Sequence, residues 1–172
     1  MAWNWDKVKR FKDKHTIPLI LKGIATAEDA ALAVEYGVDC VYVSNHGGRQ
    51  LDYGRGAIDV LPEVVEAVGG KAEVAVDGGF CRGTDIVKAM ILGANAVGLG
   101  RMQGYALAAG GEPGLVRMLE ILERECEVAL GLLGVTSFSE LDKSYITTAP
   151  PVLTPGPFAA FPHLKWPRHN EY

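Results

Sequence analysis

A histidine followed by two glycines and an arginine, within SNHGGRQLD at 44–52, carries side chains suited to acid–base chemistry and anion binding. His46 is of the type that exchanges protons near neutral pH. Arg49 offers a planar fork of donors that matches a carboxylate. Gly47 and Gly48 let the backbone approach a ligand closely or adopt a positive φ. A lone loop histidine is more often structural, but beside an anion-binding arginine we interpret His46 as functional.

Polar or glycine residues also end three other apolar runs. They are Lys22, the segment Asp77-Gly78-Gly79 and the pair Gly100-Arg101. Because ligands of parallel α/β folds bind at the carboxyl ends of the strands, we expect these residues to form one site with the 44–52 loop. Taken alone, Lys22 also fits a solvated lysine, and Asp77 an ordinary turn aspartate. In the functional interpretation, Asp77 holds the ring of His46.

The stretch GLGRMQG at 98–104 is similar to a dinucleotide-binding fingerprint, but its last glycine comes one residue too late. It also follows the fourth predicted strand rather than the first. We interpret it as part of a phosphate site, formed by the backbone N–H groups of Gly79 and Gly100 together with Arg101. Three other acidic residues are interpreted as surface or capping residues: Asp52, Asp59 and Asp85.

Apolar, strand-like runs alternate with segments of helical periodicity, which predicts βα units around a parallel sheet. The strands are predicted at 16–23, 38–45, 72–79 and 94–101. The helices are predicted at 26–37, 57–70, 83–93, 103–110 and 113–134. Thr26 and Thr84 are predicted helix caps. Pro62 is expected near the start of its helix, because proline disrupts a helix interior.

Helices on one side of four parallel strands leave the other face of the sheet uncovered. We expect an apolar open face, built from Leu19 or Ile20, Val41 or Val43, Val74 or Val76, and Val97 or Leu99, depending on the register. The first and fourth strands are expected to be open edges. A large apolar face with two bare edges predicts pairing with a further part of the fold, self-association or aggregation.

Composition narrows the classes of function. The chain has 172 residues, of which 48% are hydrophobic, and its net charge of −4 gives no broad footprint for nucleic acid. No apolar run is long enough to span a membrane, and the charged N-terminus lacks a signal core. Three separated cysteines without a CxxC motif predict neither a disulfide framework nor a metal site. We therefore expect a cytoplasmic protein, with an irregular proline-rich tail at 149–172.

Four segments carry a resemblance to a known family: ILKGI (20–24), VSNHGGRQLD (43–52), DGGFCRGTDIVKAMILGA (77–94) and GLGR (98–101). Together they resemble the FMN-dependent 2-hydroxy-acid oxidases and dehydrogenases, which include glycolate oxidase, lactate oxidase, mandelate dehydrogenase and flavocytochrome b2. The resemblance covers about residues 3–148. It implies that residues 1–148 form four βα units, the C-terminal half of a (β/α)8 TIM barrel, followed by C-terminal helices.

The resemblance also implies a role for each site residue. His46 is implied to take a proton from the substrate, with Asp77 as its orienting partner and Arg49 as the ligand of the substrate carboxylate. Lys22 and Ser44 are implied to contact the flavin. The remaining implied FMN-binding residues, which include the phosphate site, are Gly78, Gly79, Arg82, Gly100 and Arg101.

The sequence departs from the family in two residues and in length. Cys81 stands where the family has the first of two arginines, which helps hold the phosphate, and Met102 replaces a usual proline. A complete barrel needs eight strands and about 250 residues. The resemblance thus implies that the chain supplies the catalytic half of an enzyme oxidising a small L-2-hydroxy acid to the 2-oxo acid.

Other functions remain open at this point. One is a half-barrel that binds flavin or phosphate without catalysis, and another is a structural, self-associating half-barrel. A third is a different FMN or phosphate barrel, related to isopentenyl-diphosphate isomerase or inosine-monophosphate dehydrogenase. The spacing from His46 to Arg49 argues against this third possibility.

Overall fold

One sheet of four parallel strands, in the order β1-β2-β3-β4, forms the centre of the fold. The computed structural model describes residues 4–149, so the predicted tail lies outside the described residues apart from Ala149. The strands are β1 (Ile20–Ile24), β2 (Cys40–Val43), β3 (Glu73–Asp77) and β4 (Ala96–Gly98). The helices are α1 (Trp5–Lys14), α2 (Ala27–Glu35), α3 (Ala57–Val68), α4 (Gly83–Ile91) and α5 (Arg101–Leu133). The predicted alternation of strands and helices is confirmed.

Helix caps agree with the sequence at α2 and differ at α4. The Thr26 hydroxyl accepts the N–H of Asp29, as predicted. The prediction for Thr84 is wrong, because α4 begins earlier, with Arg82 at the N-cap position. Asp85, three residues on, accepts the N–H groups of both Cys81 and Arg82, so an acidic side chain replaces the expected hydroxyl cap. Pro62 lies inside α3, five residues after its first residue, rather than at its start.

Helix α1 was not expected from the sequence. Its N-cap is Asn4, whose side-chain oxygen accepts the N–H of Lys7. Val8 is buried in the main core, and the ring of Trp5 lies 5.4 Å from that of Tyr36. The Asn4 cap and the apolar spacing of Trp5, Val8 and Phe11 were the available signals, masked by the many charged residues of this segment.

Helix α5 is interrupted close to the predicted break. Gly110 and Gly111 depart from helical geometry, Gly111 with a positive φ of 59°. The segments of α5 before and after this break contact each other at Gly114, where a Cβ would lie 2.5 Å from the carbonyl oxygen of Ala106. None of the helices within residues 4–149 combines the length and apolar character needed to cross a membrane.

The main core lies between the sheet and the helices. It contains Val41, Val43, Val74 and Val76, together with residues of α2 and α3. The expectation that such valines line the open face is wrong, since the observed register turns all four towards the helices. Alternation along each strand leaves a different set on the open face: Ile20, Lys22, Cys40, Tyr42, Glu73, Ala75, Asp77, Ala96 and Gly98. This face is mixed in polarity and carries charge.

The start of α4 is held closely against α5. A Cβ at Gly83 would lie 2.5 Å from the backbone nitrogen of Cys126 and 2.5 Å from the Cβ of Glu125. The Glu125 carboxylate accepts the N–H of Gly83 at 2.7 Å. Glycine is therefore required at this helix crossing, and the crossing fixes the segment that leads from β3 into α4.

We expect Gly83→Ala to lower the free energy of unfolding by about 1–3 kcal/mol, because backbone atoms on both helices must move apart. Gly131→Ala is the matched control: it lies on α5 with no atom within 4 Å of the added Cβ, and should be neutral or stabilising. Urea denaturation of both variants measures the difference. Equal stability of Gly83→Ala and wild type would contradict the close crossing.

Candidate active site

A cleft of about 590 Å³ opens at the carboxyl ends of the strands. It gathers most of the residues singled out from the sequence: Lys22, His46, Arg49, Asp77, Gly78, Gly79, Gly100 and Arg101. Cys81 and Met102, the two departures from the family pattern, also line it. Ser44 and Arg82 are not among its lining residues. Four strand ends thus contribute to one concave surface, as expected for a parallel α/β fold.

Lys22 and Asp77 form an ion pair on the open face of the sheet. The Lys22 ammonium lies 2.9 Å from Oδ2 of Asp77 and donates to Oγ of Ser44 at 3.0 Å. It also lies 5.1 Å from the centre of the Tyr42 ring. The other carboxylate oxygen of Asp77, Oδ1, is buried and accepts no hydrogen bond from any described residue. The site therefore retains one unused buried acceptor.

Tyr42 was missed in the sequence analysis and lies beside this ion pair. Burial raises the pKa of its phenol, and the negative charge of Asp77 raises it further. The phenol contacts Gly98, where any Cβ would clash with it. The signal was the two-residue period of the strands, which puts Tyr42, Lys22 and Asp77 on the same face.

The loop that carries His46 has an uncommon backbone. His46 itself has a φ of 56°, in the left-handed region that disfavours residues with a Cβ, and Gly47 and Gly48 also have positive φ. Oγ of Ser44 accepts the His46 N–H at 3.1 Å, and Oδ1 of Asn45 accepts the N–H groups of Gly47 and Gly48. Buried Ser44 and its neighbour thus hold the loop in this conformation.

The structure does not join His46 to Asp77. No hydrogen bond links the two side chains, and the ring of His46 lies over Gly23 at the end of β1. Arg49 donates from Nε to the carbonyl oxygen of His46 at 3.3 Å. Arg49 lines the cleft, and no carboxylate within residues 4–149 forms an ion pair with it.

The cleft also contains a candidate anion site, formed by Gly79, Gly100 and Arg101. Gly79 and Gly100 line it, and a Cβ built on either glycine would meet no atom within 4 Å. Nη2 of Arg101 lies 3.7 Å from the Cβ position of Gly47, which brings this guanidinium up to the histidine loop. Exposed backbone at two glycines next to an arginine suits a phosphate group.

Arg82 is occupied elsewhere. Its guanidinium binds the Glu125 carboxylate through Nε and Nη2, both at 2.8 Å, and this pairing lowers the pKa of Glu125. The N–H groups that start α4 are already accepted by Asp85 and Glu125. The implied FMN contact of Arg82 is therefore not supported by its geometry, and Arg101 is the arginine nearest to the anion site.

Cys81 lies beside the anion site as an uncharged thiol. Burial raises the pKa of Cys81, the nearby Asp85 raises it further, and Arg101 acts in the opposite direction. Within the described residues, no group of three or more His, Cys, Asp or Glu side chains is placed to hold a metal ion. The side chains of His46, Arg49 and Lys22, which line the cleft, suit proton transfer and anion binding.

Comparison with known proteins agrees with this geometry. The family model described as FMN-dependent dehydrogenase matches residues 1–148. The chain is 47% identical over 145 residues to an L-lactate oxidase from Nostoc sp., covering 84% of this chain and 40% of that protein. It is 50% identical over 145 residues to a peroxisomal (S)-2-hydroxy-acid oxidase from Oryza sativa subsp. japonica, with the same coverage.

A solved structure of mandelate oxidase with benzoyl-formic acid is similar to the fold, with a TM-score of 0.78 and 45% identity. The match covers 81% of this chain and 42% of that one. The chain therefore spans about 40% of the length of the relatives it matches. Its four parallel strands form part of a TIM barrel, which confirms the predicted fold class.

We expect Asn45→Ala to destabilise the histidine loop by about 1–2 kcal/mol, because two glycine N–H groups lose their acceptor. Hydrogen exchange at the amides of Gly47 and Gly48 should become faster. Asn4→Ala, which removes the equivalent cap from α1, is the control and should leave both amides unchanged. Unaltered exchange in Asn45→Ala would mean that another contact holds the loop.

Proposed function

This chain belongs to the FMN-dependent dehydrogenase family, and we propose that it supplies the catalytic and phosphate-binding part of an enzyme oxidising a small L-2-hydroxy acid to the 2-oxo acid. One observation carries the proposal. A single cleft brings together four features: the base His46, the carboxylate-binding Arg49, the cation Lys22 and the candidate anion site around Arg101. These are the charges and donors that an anionic substrate and a phosphorylated flavin require.

The residues of the cleft fit FMN. Open backbone at Gly79 and Gly100, with the Arg101 guanidinium, suits its phosphate. The Lys22 ammonium lies on the open face, held by Asp77 and Ser44, and suits the edge of the flavin ring where negative charge develops on reduction. Bound FMN supplies the electron acceptor of the reaction.

The substrate roles follow from the side chains. Arg49 binds the substrate carboxylate through its unpaired terminal nitrogens, which orients the hydroxyl-bearing carbon. His46 takes the proton that leaves during oxidation and becomes positively charged. Oδ1 of Asp77, which has no hydrogen-bond partner among the described residues and belongs to a residue of the same cleft, supplies negative charge that stabilises the imidazolium.

We propose that the chain works with a preceding half-barrel. A groove of about 540 Å³ runs between α1 and the free edge of β1, lined by Trp5, Val8, Phe11 and Ile20 among others. In a right-handed crossover, the strand that precedes α1 lies beside β1 and beneath that helix. Helix α1 therefore already covers the position of a fifth parallel strand. This favours a preceding βα segment over self-association, although β4 of a second copy could occupy the same edge.

A second candidate function is flavin or phosphate binding without catalysis. The observation in its favour is that the ring of His46 lies over Gly23 and makes no hydrogen bond to Asp77, the partner expected to orient it as a base. For location we propose the cytoplasm, because Cys40, Cys81 and Cys126 are all free thiols, which suits a reducing compartment.

FMN titration of the purified chain, followed by flavin fluorescence, tests cofactor binding. Arg101→Ala should weaken binding by roughly 10- to 100-fold through loss of a charge-assisted phosphate contact. Cys81→Arg should tighten it. Arg124→Ala is the control for loss of a positive charge, since Arg124 is exposed and paired with Glu127 on α5. Identical FMN dissociation constants for wild type and Arg101→Ala would mean that the FMN phosphate does not bind at Arg101.

Catalysis is tested by combining the chain with the N-terminal half of a lactate or mandelate oxidase. His46→Ala should reduce the rate of flavin reduction by about 100- to 10,000-fold while FMN stays bound. Arg49→Lys should raise KM by roughly 10- to 100-fold, because a point charge cannot replace the fork. The chain alone should give no turnover. Steady hydroxy-acid oxidation by the unpaired, monomeric chain would rule out the need for a second half.

A further inference from the structure

Gly23 forms a bulge in β1 directly after Lys22. Lys22 aligns with Tyr42 on β2, but Ile24 aligns with Val43, the very next residue, so Gly23 is the one residue of β1 without its own partner. Its φ is 104°, a conformation that residues with a Cβ rarely adopt. Bulges of this kind are frequent beside functional sites, where they redirect the side chains around them.

The ring of His46 lies on this bulge. A Cβ at Gly23 would be 2.9 Å from Cε1 of His46, 3.8 Å from Nε2 and 3.9 Å from Nδ1. The first distance is too short for a real Cβ contact, so a methyl group at Gly23 would displace the ring, while the other two are ordinary van der Waals contacts. The contact joins the end of β1 to the loop that follows β2.

The opposite side of the same contact is fixed by Ser44. Its buried hydroxyl oxygen accepts one hydrogen bond from the Lys22 ammonium and another from the His46 N–H. The backbone of His46 is thus held by Ser44 in its left-handed conformation, while its ring is held by Gly23. Without the ring contact, the exposed side chain would be free to change rotamer.

We infer that Gly23 is a positioning residue for His46, and that the bulge in β1 exists to hold the imidazole at the mouth of the cleft. Its significance for catalysis rests on the proposed function, but the contact itself does not. Gly23 touches neither substrate nor cofactor in this assignment. It acts by limiting where the base can be when a 2-hydroxy acid binds, which is an orientation effect.

Gly93 provides a matched control. Its φ is 101°, and a Cβ there would lie 2.7 Å from Cγ1 of Val65, so Gly93→Ala adds the same backbone strain and a comparable side-chain clash. Gly93 follows α4 and is not among the residues that line the cleft. Both substitutions are expected to lower Tm, by about 2–8 °C from backbone strain alone.

The test is a double-mutant cycle on the full chain. Gly23→Ala should lower Tm clearly less in a His46→Ala background than in wild type, because the ring that the methyl group displaces is gone. Gly93→Ala should lower Tm equally in both backgrounds. If the effects of Gly23→Ala and His46→Ala simply add, the inference is overturned.

An NMR measurement supplies a readout that general destabilisation does not move. The Cε1–H resonance of His46, assigned by its loss in His46→Ala, should shift in Gly23→Ala and stay in place in Gly93→Ala. The resonance of His15, which stacks on Phe11 away from the cleft, should stay in place in both. An unmoved His46 resonance in Gly23→Ala would overturn the inference.

Neither measurement depends on flavin or substrate, so the two proposals can fail separately. Suppose that the Tm effects of Gly23→Ala and His46→Ala are coupled and the His46 resonance shifts, but the protein neither binds flavin nor shows activity. The positioning role of Gly23 would then stand, and the proposed function would be rejected. Loss of kcat with unchanged KM for Gly23→Ala in the complemented enzyme would connect the two. If Gly23→Ala does not fold, the same cycle is run with Gly23→Ala/His46→Ala, which should recover folding.

Discussion

The alignment of β1, β2 and β3 determines nearly everything else in this chain. Because neighbouring residues of a strand point to opposite faces, one register decides which side chains meet the helices and which meet the cleft. The observed register sends Val41, Val43, Val74 and Val76 into the core and brings Lys22, Tyr42 and Asp77 together on the other face. A shift by a single residue would bury the charges and expose the valines.

The sequence was sufficient for the four strands, for the helices other than α1, and for placing most of the candidate site residues in one cleft. Strongly apolar runs ending in Lys22, His46, Asp77 and Arg101 were enough to place these residues at one sheet edge, since that follows from chain order and parallel pairing. It was not sufficient for contacts between side chains. Whether Asp77 pairs with Lys22 or with His46 depends on distances of an ångström or two, which no residue pattern specifies.

The errors share a physical origin. Thr84 was preferred as a cap because hydroxyls are common there, yet the helix begins at Gly83, and Asp85 accepts the N–H groups of Cys81 and Arg82 from inside it. The FMN contact of Arg82 stays a prediction, although Glu125, distant in sequence, binds its guanidinium. The open face was expected to be apolar because the register was unknown. In these cases the outcome depends on a contact with a distant residue, on where a helix begins, or on the register of a strand. A local residue pattern leaves several such arrangements open.

The polarity of the open face changes what a partner half must provide. Lys22 and Asp77 neutralise each other there, so water can cover the face without a large hydrophobic penalty. The unpaired backbone groups of β1 and the groove beside α1 then favour binding of a partner more strongly than the open face does. Association driven by strand pairing is directional, because it fixes register as well as contact. The proposed two-part enzyme needs this property, since in that proposal His46 faces a substrate held partly by the other half.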